Sequence, residues 1–409
     1  MSLNSTPAAE RIHIGIFGKR NAGKSSIMNA ITSQELAIVS DVKGTTTDPV
    51  YKAMELLPLG PVMMIDTPGI DDEGELGEKR VKKSFLVLNK TDIALVVIDA
   101  ATGASKEDLE LIARIQEKQI PCVAVMNKAD LISKDEQKAV IPGVEVMYVS
   151  TTTKENVNEL KEKIAHLVKT DEERLRIVGD LIHPGDFIVL VVPIDKAAPK
   201  GRLILPQQQT IRDILEADAT AIVVKEYELR DTLANLNKKP SLVITDSQVF
   251  AKVNADTPKD ILLTSFSILF ARYKGLLTEA VKGVKALEGL REGDKILISE
   301  GCTHHRQCDD IGTVKIPRLI RQYTGKEFDY EFSSGAEFPE DLSKYGLIIH
   351  CGGCTLPERE VRYRMKCAVD AGIPITNYGI MLAYLNGILK RSVEIFPHLS
   401  MLLEEVDYS

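Results

Sequence analysis

Near the N-terminus stands the octapeptide Gly18-Lys19-Arg20-Asn21-Ala22-Gly23-Lys24-Ser25, which fits the pattern G-x-x-x-x-G-K-[ST]. The residues before it, 11–17, read as a short apolar strand, and residues 25–31 read as a helix. A loop of this pattern between a strand and a helix wraps the phosphates of a nucleotide with its backbone N–H groups. The stretch therefore predicts an α/β domain built around a phosphate-binding loop.

The chemistry expected of this loop depends on a few side chains. Lys24 supplies a point charge to the β and γ oxygens, and the Ser25 hydroxyl can bind Mg²⁺. Asp66 follows the apolar run 62–65 and is expected to reach the same Mg²⁺ through a water molecule. Gly69 then offers a backbone N–H where a γ-phosphate would lie. The pattern predicts a Mg²⁺-dependent nucleoside triphosphate site.

The base is indicated by Asn127-Lys128-Ala129-Asp130, which follows the apolar run 121–126. A carboxylate there can accept both the N1–H and the N2–H₂ donors of guanine, and adenine lacks both. Ser150 and Thr151 follow another strand, where a further base contact is expected. Each motif alone is weak, but their order and spacing predict GTP. The predicted GTP-binding residues are Gly18, Asn21, Ala22, Gly23, Lys24, Ser25, Ser26, Thr45, Thr46, Asp66, Gly69, Asn127, Lys128, Asp130, Ser150 and Thr151.

With these motifs, the first 170 residues resemble the bacterial GTPases of the Era and TrmE type. The resemblance implies that residues 43–48 are switch I, with Thr46, or else Thr45, as a Mg²⁺ ligand. It also implies that Asn21 helps to bind K⁺, which supplies the charge stabilisation that an arginine finger gives elsewhere. Ile70 replaces the water-orienting glutamine of Ras-like enzymes, and it has no polar group with which to orient water. The residues expected to act in hydrolysis are Lys24, Asn21, Thr46 and Gly69.

Length and composition limit the remaining possibilities. The chain has 409 residues, a formal net charge of −8 and a pI near 5.6. That length predicts two or three domains, and the acidic balance gives no sign of a nucleic-acid or membrane surface. The sequence has no run of 18 apolar residues, and six cysteines are few for a disulfide scaffold. We therefore expect a soluble, cytoplasmic protein.

The chain reads as an α/β protein of three domains: a P-loop GTPase domain at 1–170, then two smaller α/β domains with mostly parallel sheets at 179–258 and 260–409. In the middle domain, apolar runs at 187–193, 219–224 and 240–245 alternate with helical patterns at 210–216 and 228–235, which predicts a small parallel sheet. A small unit of this kind is either an oligomerisation module or a spacer, and the residues alone leave both readings open.

The last domain is rich in cysteine: it holds Cys302, Cys308, Cys351, Cys354 and Cys367. Cys302 and His304 come just after the strand pattern 295–299, and His350 and Cys351 come at the end of another. Strand ends of an open α/β sheet are where ligands bind. Cysteine with histidine suits iron–sulfur clusters or zinc, whereas a redox dithiol would leave Cys302 unexplained. The residues leave both metals open.

The spacing of Cys302-x-His304 followed by His350-Cys351-x-x-Cys354 resembles the signature of the HydF family, the GTPases that mature iron–iron hydrogenase. The resemblance covers the whole chain and implies a four-iron four-sulfur cluster on Cys302, Cys351 and Cys354, with ligation by His304 or His350 left open. It implies an exchangeable fourth iron position that holds a transient diiron precursor. The partners it implies are the radical-SAM maturases HydE and HydG and the apo-hydrogenase HydA, with a homodimer formed through the middle domain.

Two other classes of protein remain as alternatives. An RNA-binding GTPase of ribosome assembly or tRNA modification would need a basic surface, yet residues 261–409 carry 20 acidic and 18 basic side chains, a net of −2. A GTPase with a structural zinc site would be colourless and would unfold when the metal is removed.

Overall fold

The computed structural model describes residues 11–32, 49–57, 59–70, 84–167, 176–193, 203–301, 310–335, 337–339, 341–353, 356–399 and 403. The chain divides into two compact units, Met1–Glu173 with Pro357–Glu360, and Arg174–Leu356 with Val361–Ser409.

The first unit is built on a six-stranded sheet in the order β2-β3-β1-β4-β5-β6. β2 runs antiparallel to β3, and the other neighbours are parallel. The strands are β1 Ile12–Phe17, β2 Val50–Leu56, β3 Gly60–Asp66, β4 Ile93–Asp99, β5 Cys122–Asn127 and β6 Glu145–Tyr148. The helices are Lys24–Thr32, residues 84–88, Lys106–Glu117 and Val157–His166.

The four inner strands of this sheet, β1, β3, β4 and β5, are buried on both faces. Along β5, Val123 and Val125 belong to the core cluster on one face, and Ala124 and Met126 belong to the cluster on the other. Such strands read as continuous apolar runs in the sequence. That is why the runs before Asp66 and before Asn127 could be predicted as strands.

The second unit contains two four-stranded sheets, both entirely parallel, in the orders β10-β9-β7-β8 and β12-β11-β13-β14. The strands are β7 Phe187–Val191, β8 Thr220–Val224, β9 Leu242–Thr245, β10 Leu262–Ser265, β11 Lys295–Glu300, β12 Asp329–Ser334, β13 Leu347–His350 and β14 Ile375–Asn377. The helices are Leu205–Glu216, Leu229–Asn235, Phe250–Asp256, Phe266–Tyr273, Leu277–Val284, Ala286–Gly289, Ile316–Thr324, Glu358–Asp370, Tyr378–Leu385 and Leu389–Ser392, with a π-helical turn at Ile311–Lys315.

The parallel sheet predicted for the middle domain is therefore present, but it extends past residue 258, the predicted end of that domain. Its edge strand β10 pairs with β9 from Leu262 to Ser265. The two smaller sheets also share one buried core, in which Leu190 and Leu263 lie in the same cluster as Ile296 and Ile349. A shared core makes the two sheets one compact unit. None of the helices in the described parts of the chain is long and apolar enough to cross a membrane.

Candidate functional site

The phosphate-binding loop lies between β1 and the helix Lys24–Thr32, as the sequence predicts. The Lys24 ammonium is buried in the loop, where it donates hydrogen bonds to the carbonyls of Gly18, at 2.9 Å, and Lys19, at 2.7 Å. Ala22 is buried, and Ser26 is half-buried in the first turn of the helix. These contacts hold the cationic end of Lys24 inside the curve of the loop.

Glycine is required at two positions of this loop. Gly18 has φ +141°, and a Cβ there would lie 2.2 Å from the carbonyl oxygen of Val97. Gly23 has φ +93°, and a Cβ there would lie 2.1 Å from the Asn127 amide nitrogen. Asn21, with φ 60°, adopts the left-handed conformation that asparagine tolerates better than most residues.

Ser25 and Asp66 meet at the end of β3, where the Ser25 hydroxyl donates to Asp66 Oδ2 at 2.7 Å. Asp66 Oδ1 is buried and has no hydrogen-bond partner among the residues that the structure describes. Burial raises the pKa of the Asp66 carboxyl, and the Ser25 hydrogen bond and the Lys24 charge oppose that rise. A buried carboxylate oxygen without a partner beside a hydroxyl suits a hard, oxygen-seeking cation. These residues therefore fit Mg²⁺.

The predicted base site lies at the ends of β4 and β5. The Asn127 amide donates to the Ala22 carbonyl at 3.0 Å, which ties this motif to the phosphate loop. Lys128 pairs with Asp99 at 2.6 Å. The Ser150 hydroxyl donates to Asp130 at 2.5 Å, so Ser150 orients the carboxylate that is expected to read guanine.

Of the remaining predicted residues of the nucleotide site, the structure describes Gly69 and Thr151. Gly69 is half-buried after β3, and Thr151 is half-buried after Ser150. Ile70 is 8% exposed and belongs to a core cluster of the first unit. Thr45 and Thr46 lie outside the described residues.

The second candidate site surrounds Cys351, at the end of β13. Its Sγ accepts hydrogen bonds from the backbone N–H of Gly301, at 3.0 Å, and of Gly353, at 3.3 Å. Gly353 has φ +60°, the left-handed conformation that turns its N–H toward the sulfur. Amide donors of this kind favour a thiolate and tune iron–sulfur clusters.

His350 is buried beside Cys351, and both of its ring nitrogens are engaged. Nδ1 lies 2.6 Å from the Cys351 carbonyl oxygen, which can only accept, so Nδ1 carries the proton. Nε2 lies 3.3 Å from Arg364 Nη1 and accepts from it. Burial and the Arg364 charge lower the pKa of His350 to about 3, so the ring is neutral at physiological pH. An iron-bound His350 would require Arg364 to release Nε2.

Cys302, His304 and Cys354 lie outside the described residues, and so do His305 and Cys308. Within the described parts of the chain, no group of three or more His, Cys, Asp or Glu side chains is placed to hold a metal ion. The described donors, Cys351 with two N–H groups aimed at its sulfur, fit a thiolate ligand. Cys122 and Cys367 lie partly buried in core clusters.

Several residues of both sites lie outside the set predicted from the sequence. Asp99, which pairs with Lys128, ends the apolar strand β4 just as Asp66 ends β3, so the same signal was available. Lys274 and Arg364, which surround the Cys351 turn, carry no local signal. They lie 79 and 14 residues from their partners Gly353 and His350, in elements whose packing the sequence does not specify.

Three family models match the chain. Residues 13–128 match the 50S ribosome-binding GTPase model, 177–275 match the Hydrogen maturase F dimerization domain, and 278–395 match the Hydrogen maturase F tetramerization domain. The two maturase models together cover more than half of the 409 residues. The chain belongs to the hydrogen maturase F family. Its first domain is a GTPase domain, and its second unit consists of the two domains that this family uses for oligomerisation.

The two curated relatives named next match 37% and 41% of the chain. The tRNA modification GTPase MnmE of Clostridioides difficile is 34% identical over 157 residues, which are 37% of this chain and 34% of that protein. GTPase Der of Heliobacterium modesticaldum is 30% identical over 182 residues, 41% of either chain. The chain thus spans well under half the length of these curated relatives. An Era crystal structure from Aquifex aeolicus, bound to GDP and aluminium fluoride, is 21% identical with a TM-score of 0.36, covering 53% of this chain and 94% of that one.

Proposed function

We propose that this hydrogen maturase F family member hydrolyses GTP and serves as a scaffold for the diiron cofactor of iron–iron hydrogenase. The nucleotide part of the proposal is supported by the GTPase family match and by the buried Ser25–Asp66 pair. Lys24 and the loop amides would bind the phosphates, Ser25 and Thr46 would bind Mg²⁺, and Asp66 would bind it through water. Bound Mg²⁺ would neutralise charge on the phosphates.

We propose that Asn21 contributes to a K⁺ site beside the phosphates. Asn21 lies at the crest of the loop in the left-handed conformation and is exposed, so its amide oxygen is accessible to a cation. Ile70 supplies no polar group for the attacking water, so another source of stabilisation is needed. Hydrolysis should therefore be faster in KCl than in NaCl.

We propose that Cys302, Cys351 and Cys354 hold a four-iron four-sulfur cluster with an exchangeable fourth position. The observation that carries this proposal is the environment of Cys351, whose sulfur accepts two backbone hydrogen bonds in a chain of the hydrogen maturase F family. The fourth position would receive a diiron precursor made by the maturases HydE and HydG and would pass it to apo-HydA. A weakly held fourth ligand suits a carrier, because the cargo must be released.

We further propose that the nucleotide state biases the docking of these partners. Such a bias requires that the GTP and GDP forms bind a partner with different affinities, because a ligand with equal affinity for two states shifts nothing. Equal binding of HydE, HydG and HydA by both forms would exclude it.

The test is anaerobic reconstitution with iron and sulfide, followed by iron analysis and by EPR of the reduced protein. The wild type should show a four-iron signal, Cys351→Ala and Cys302→Ala should lose it, and Cys367→Ala is the matched control that should keep it. GTP hydrolysis, measured on the same samples, should need Mg²⁺ and should survive each cysteine substitution. A colourless protein that binds one zinc would overturn the cluster proposal.

A further inference from the structure

The sheet β12-β11-β13-β14 has two edge strands, and their surroundings differ. The helix Leu277–Val284 lies so close to β14 that a Cβ at Gly283 would stand 2.1 Å from the Ile375 carbonyl oxygen. In the described part of the chain, no strand pairs with the outer side of β12. An edge strand presents a row of backbone N–H and C=O groups with which a strand of another chain can pair. β12 is therefore the edge at which a second chain can extend this sheet.

One face of β12 is apolar as far as the edge of the sheet. The rings of Tyr330 and Phe332 stack with their centroids 6.4 Å apart, and Tyr330 packs against the core that the two smaller sheets share. Phe332 is 38% exposed. A second strand beside β12 would cover this ring, and the burial of apolar surface stabilises association. The segment Asp329–Ser334 also contains neither lysine nor proline, two residues that commonly prevent edge strands from pairing.

The acidic side chains on the other face of β12 are compensated within the same chain. Lys295 lies 3.3 Å from Asp329 and 3.8 Å from Glu331. Lys344 donates a hydrogen bond to Glu331 at 2.9 Å. Like charges that lie directly opposite each other on paired strands destabilise the pair, and a neighbouring cation reduces that repulsion. The charges of β12 therefore do not oppose the approach of a second copy.

We propose that β12 pairs antiparallel with β12 of a second copy of this chain, across a two-fold axis. The partner is a second copy because residues 278–395, which contain β12, match the tetramerization domain of the family. That match identifies the domain, and the open edge identifies the strand within it. An interface of this kind uses the same surface on both chains. The two four-stranded sheets become one continuous sheet.

The side chains of β12 also select the register of the pair. Residues that lie directly opposite each other in an antiparallel pair share one face of the sheet. A register with Glu331 opposite its own counterpart brings two carboxylates together, which is unfavourable. A register with Phe332 opposite its counterpart sets Glu331 against Ser333 and stacks two aromatic rings at the centre. We therefore expect Phe332 to lie on the two-fold axis.

The experiment measures the molar mass of the full chain by light scattering after size exclusion. We expect the wild type to be a tetramer and Phe332→Lys to be a dimer, because two ammonium groups would face each other across the axis. Val369→Lys is the matched control, since Val369 is an apolar residue of the same domain that is 48% exposed on the helix Glu358–Asp370. It should keep the wild-type mass. Circular dichroism checks that each variant is folded.

A cysteine substitution gives a second measurement, which remains informative if Phe332→Lys does not fold. In Phe332→Cys the two thiols meet at the axis, so mild oxidation should join two chains by a disulfide. A gel without reductant should then show a band of twice the chain mass, above any such band in the wild type. Val369→Cys is the control that should add no band.

The inference is overturned if folded Phe332→Lys keeps the wild-type mass, or if Val369→Lys lowers the mass to the same extent. It is also overturned if Phe332→Lys is unfolded and Phe332→Cys forms no additional disulfide. Dissociation by Phe332→Lys without a disulfide in Phe332→Cys would support β12 as the interface and would overturn the register. These outcomes do not depend on the cluster, so a chain that binds no iron can still associate through β12.

Discussion

Asp130 is the residue on which we propose that base recognition depends. Its carboxylate is oriented by the Ser150 hydroxyl at 2.5 Å, and Ser150 is itself fully buried after β6. An ionised carboxylate can only accept hydrogen bonds, so it pairs with a base that presents two donors. We therefore propose that the choice of nucleotide depends on this side chain.

We expect Asp130→Asn to change the base specificity from guanine to xanthine. The amide of Asn would donate to the xanthine 2-oxo group and accept from N1–H, while guanine's amino group would lose its acceptor. GTP affinity should fall roughly 100-fold, the effect of losing charge-assisted hydrogen bonds, and that of xanthosine triphosphate should rise. Competition against a fluorescent nucleotide measures both, with the exposed Asp135→Asn as control. An unchanged ratio of the two affinities would show that Asp130 does not read the base.

His350 illustrates how a residue of a metal-binding pattern can serve another role. Its two nitrogens are bound to the Cys351 carbonyl and to Arg364. We expect His350→Gln to keep the cluster, because Gln can make one donor and one acceptor contact in the same place, whereas Cys351→Ala should lose it. Iron content and the EPR spectrum of the two variants decide this. Loss of the four-iron signal in His350→Gln to the level of Cys351→Ala would instead identify His350 as a ligand.

At the scale of single elements, both sites form at the carboxyl ends of parallel strands. Asp66 ends β3 and Asn127 ends β5 in the first unit, while Ser299, His350 and Asn377 lie side by side across β11, β13 and β14 in the second. Strands that run parallel end at one edge, so residues far apart in sequence meet there. This geometry explains why both candidate sites could be predicted from polar residues that follow apolar runs in the sequence.

Strand β8 lies at the edge of its sheet, and in the described part of the chain no strand pairs with its outer side. It pairs with β7 on one side only, and Val223 is 45% exposed. An open edge is a template for pairing with a second copy of the same strand, and a lysine on it opposes that pairing. We expect Val223→Lys to dissociate the oligomer formed through the dimerization domain, as measured by light scattering after size exclusion.

The matched control for that substitution is Val140→Lys, since Val140 is 87% exposed and lies in the GTPase domain. It should leave the molar mass unchanged. If both variants keep the wild-type mass, the subunits associate through another surface.

The burial of Cys122 on strand β5 determines the pKa and the reactivity of its thiol. Burial raises the pKa of its thiol to about 12, so the thiol stays protonated in the native protein well above its ordinary value near 9. Because only the thiolate reacts, iodoacetamide should modify Cys122 slowly at pH 8 in the native protein and quickly in urea. The stability that comes from burying the neutral thiol is complete below pH 9 and is lost as the pH rises toward 12. Mass spectrometry of the labelled peptides checks this, and equal rates in both conditions would contradict it.

At the scale of the whole molecule, the chain consists of two compact units, and each has its own core. The smaller sheets do not form separate units, because their helices and strands bury residues in one cluster. A unit with its own core can fold by itself. The nucleotide chemistry and the thiolate chemistry should therefore be separable.

We expect a fragment of residues 176–409 to fold and to assemble the cluster without the GTPase domain. Circular dichroism should show a cooperative thermal transition, and the EPR signal after reconstitution should match that of the full chain. The fragment carrying Cys351→Ala is the control that should fold without a signal. A fragment that folds but cannot assemble the cluster would show that the GTPase unit is needed for assembly.

The amino-acid sequence by itself determined the motifs and secondary-structure elements that depend on residues close together along the chain. The spacing from Gly18 to Ser25, the apolar runs before Asp66 and Asn127, and the pattern from His350 to Cys354 each lie within a few residues, so they predicted the P-loop, most strands and the candidate ligands. The place of β10 in the second sheet could not be predicted, since it follows only from the pairing of β10 with β9.

Only the tertiary structure decided which distant groups meet. Gly301 donates to Cys351 across 50 residues, Lys274 reaches Gly353 across 79, and Asp99 pairs with Lys128 because β4 and β5 are adjacent. No local pattern encodes these contacts, because they arise from the order of strands in a sheet and from the packing of helices against it. The charge around Cys351 and the protonation of His350 follow from that packing alone.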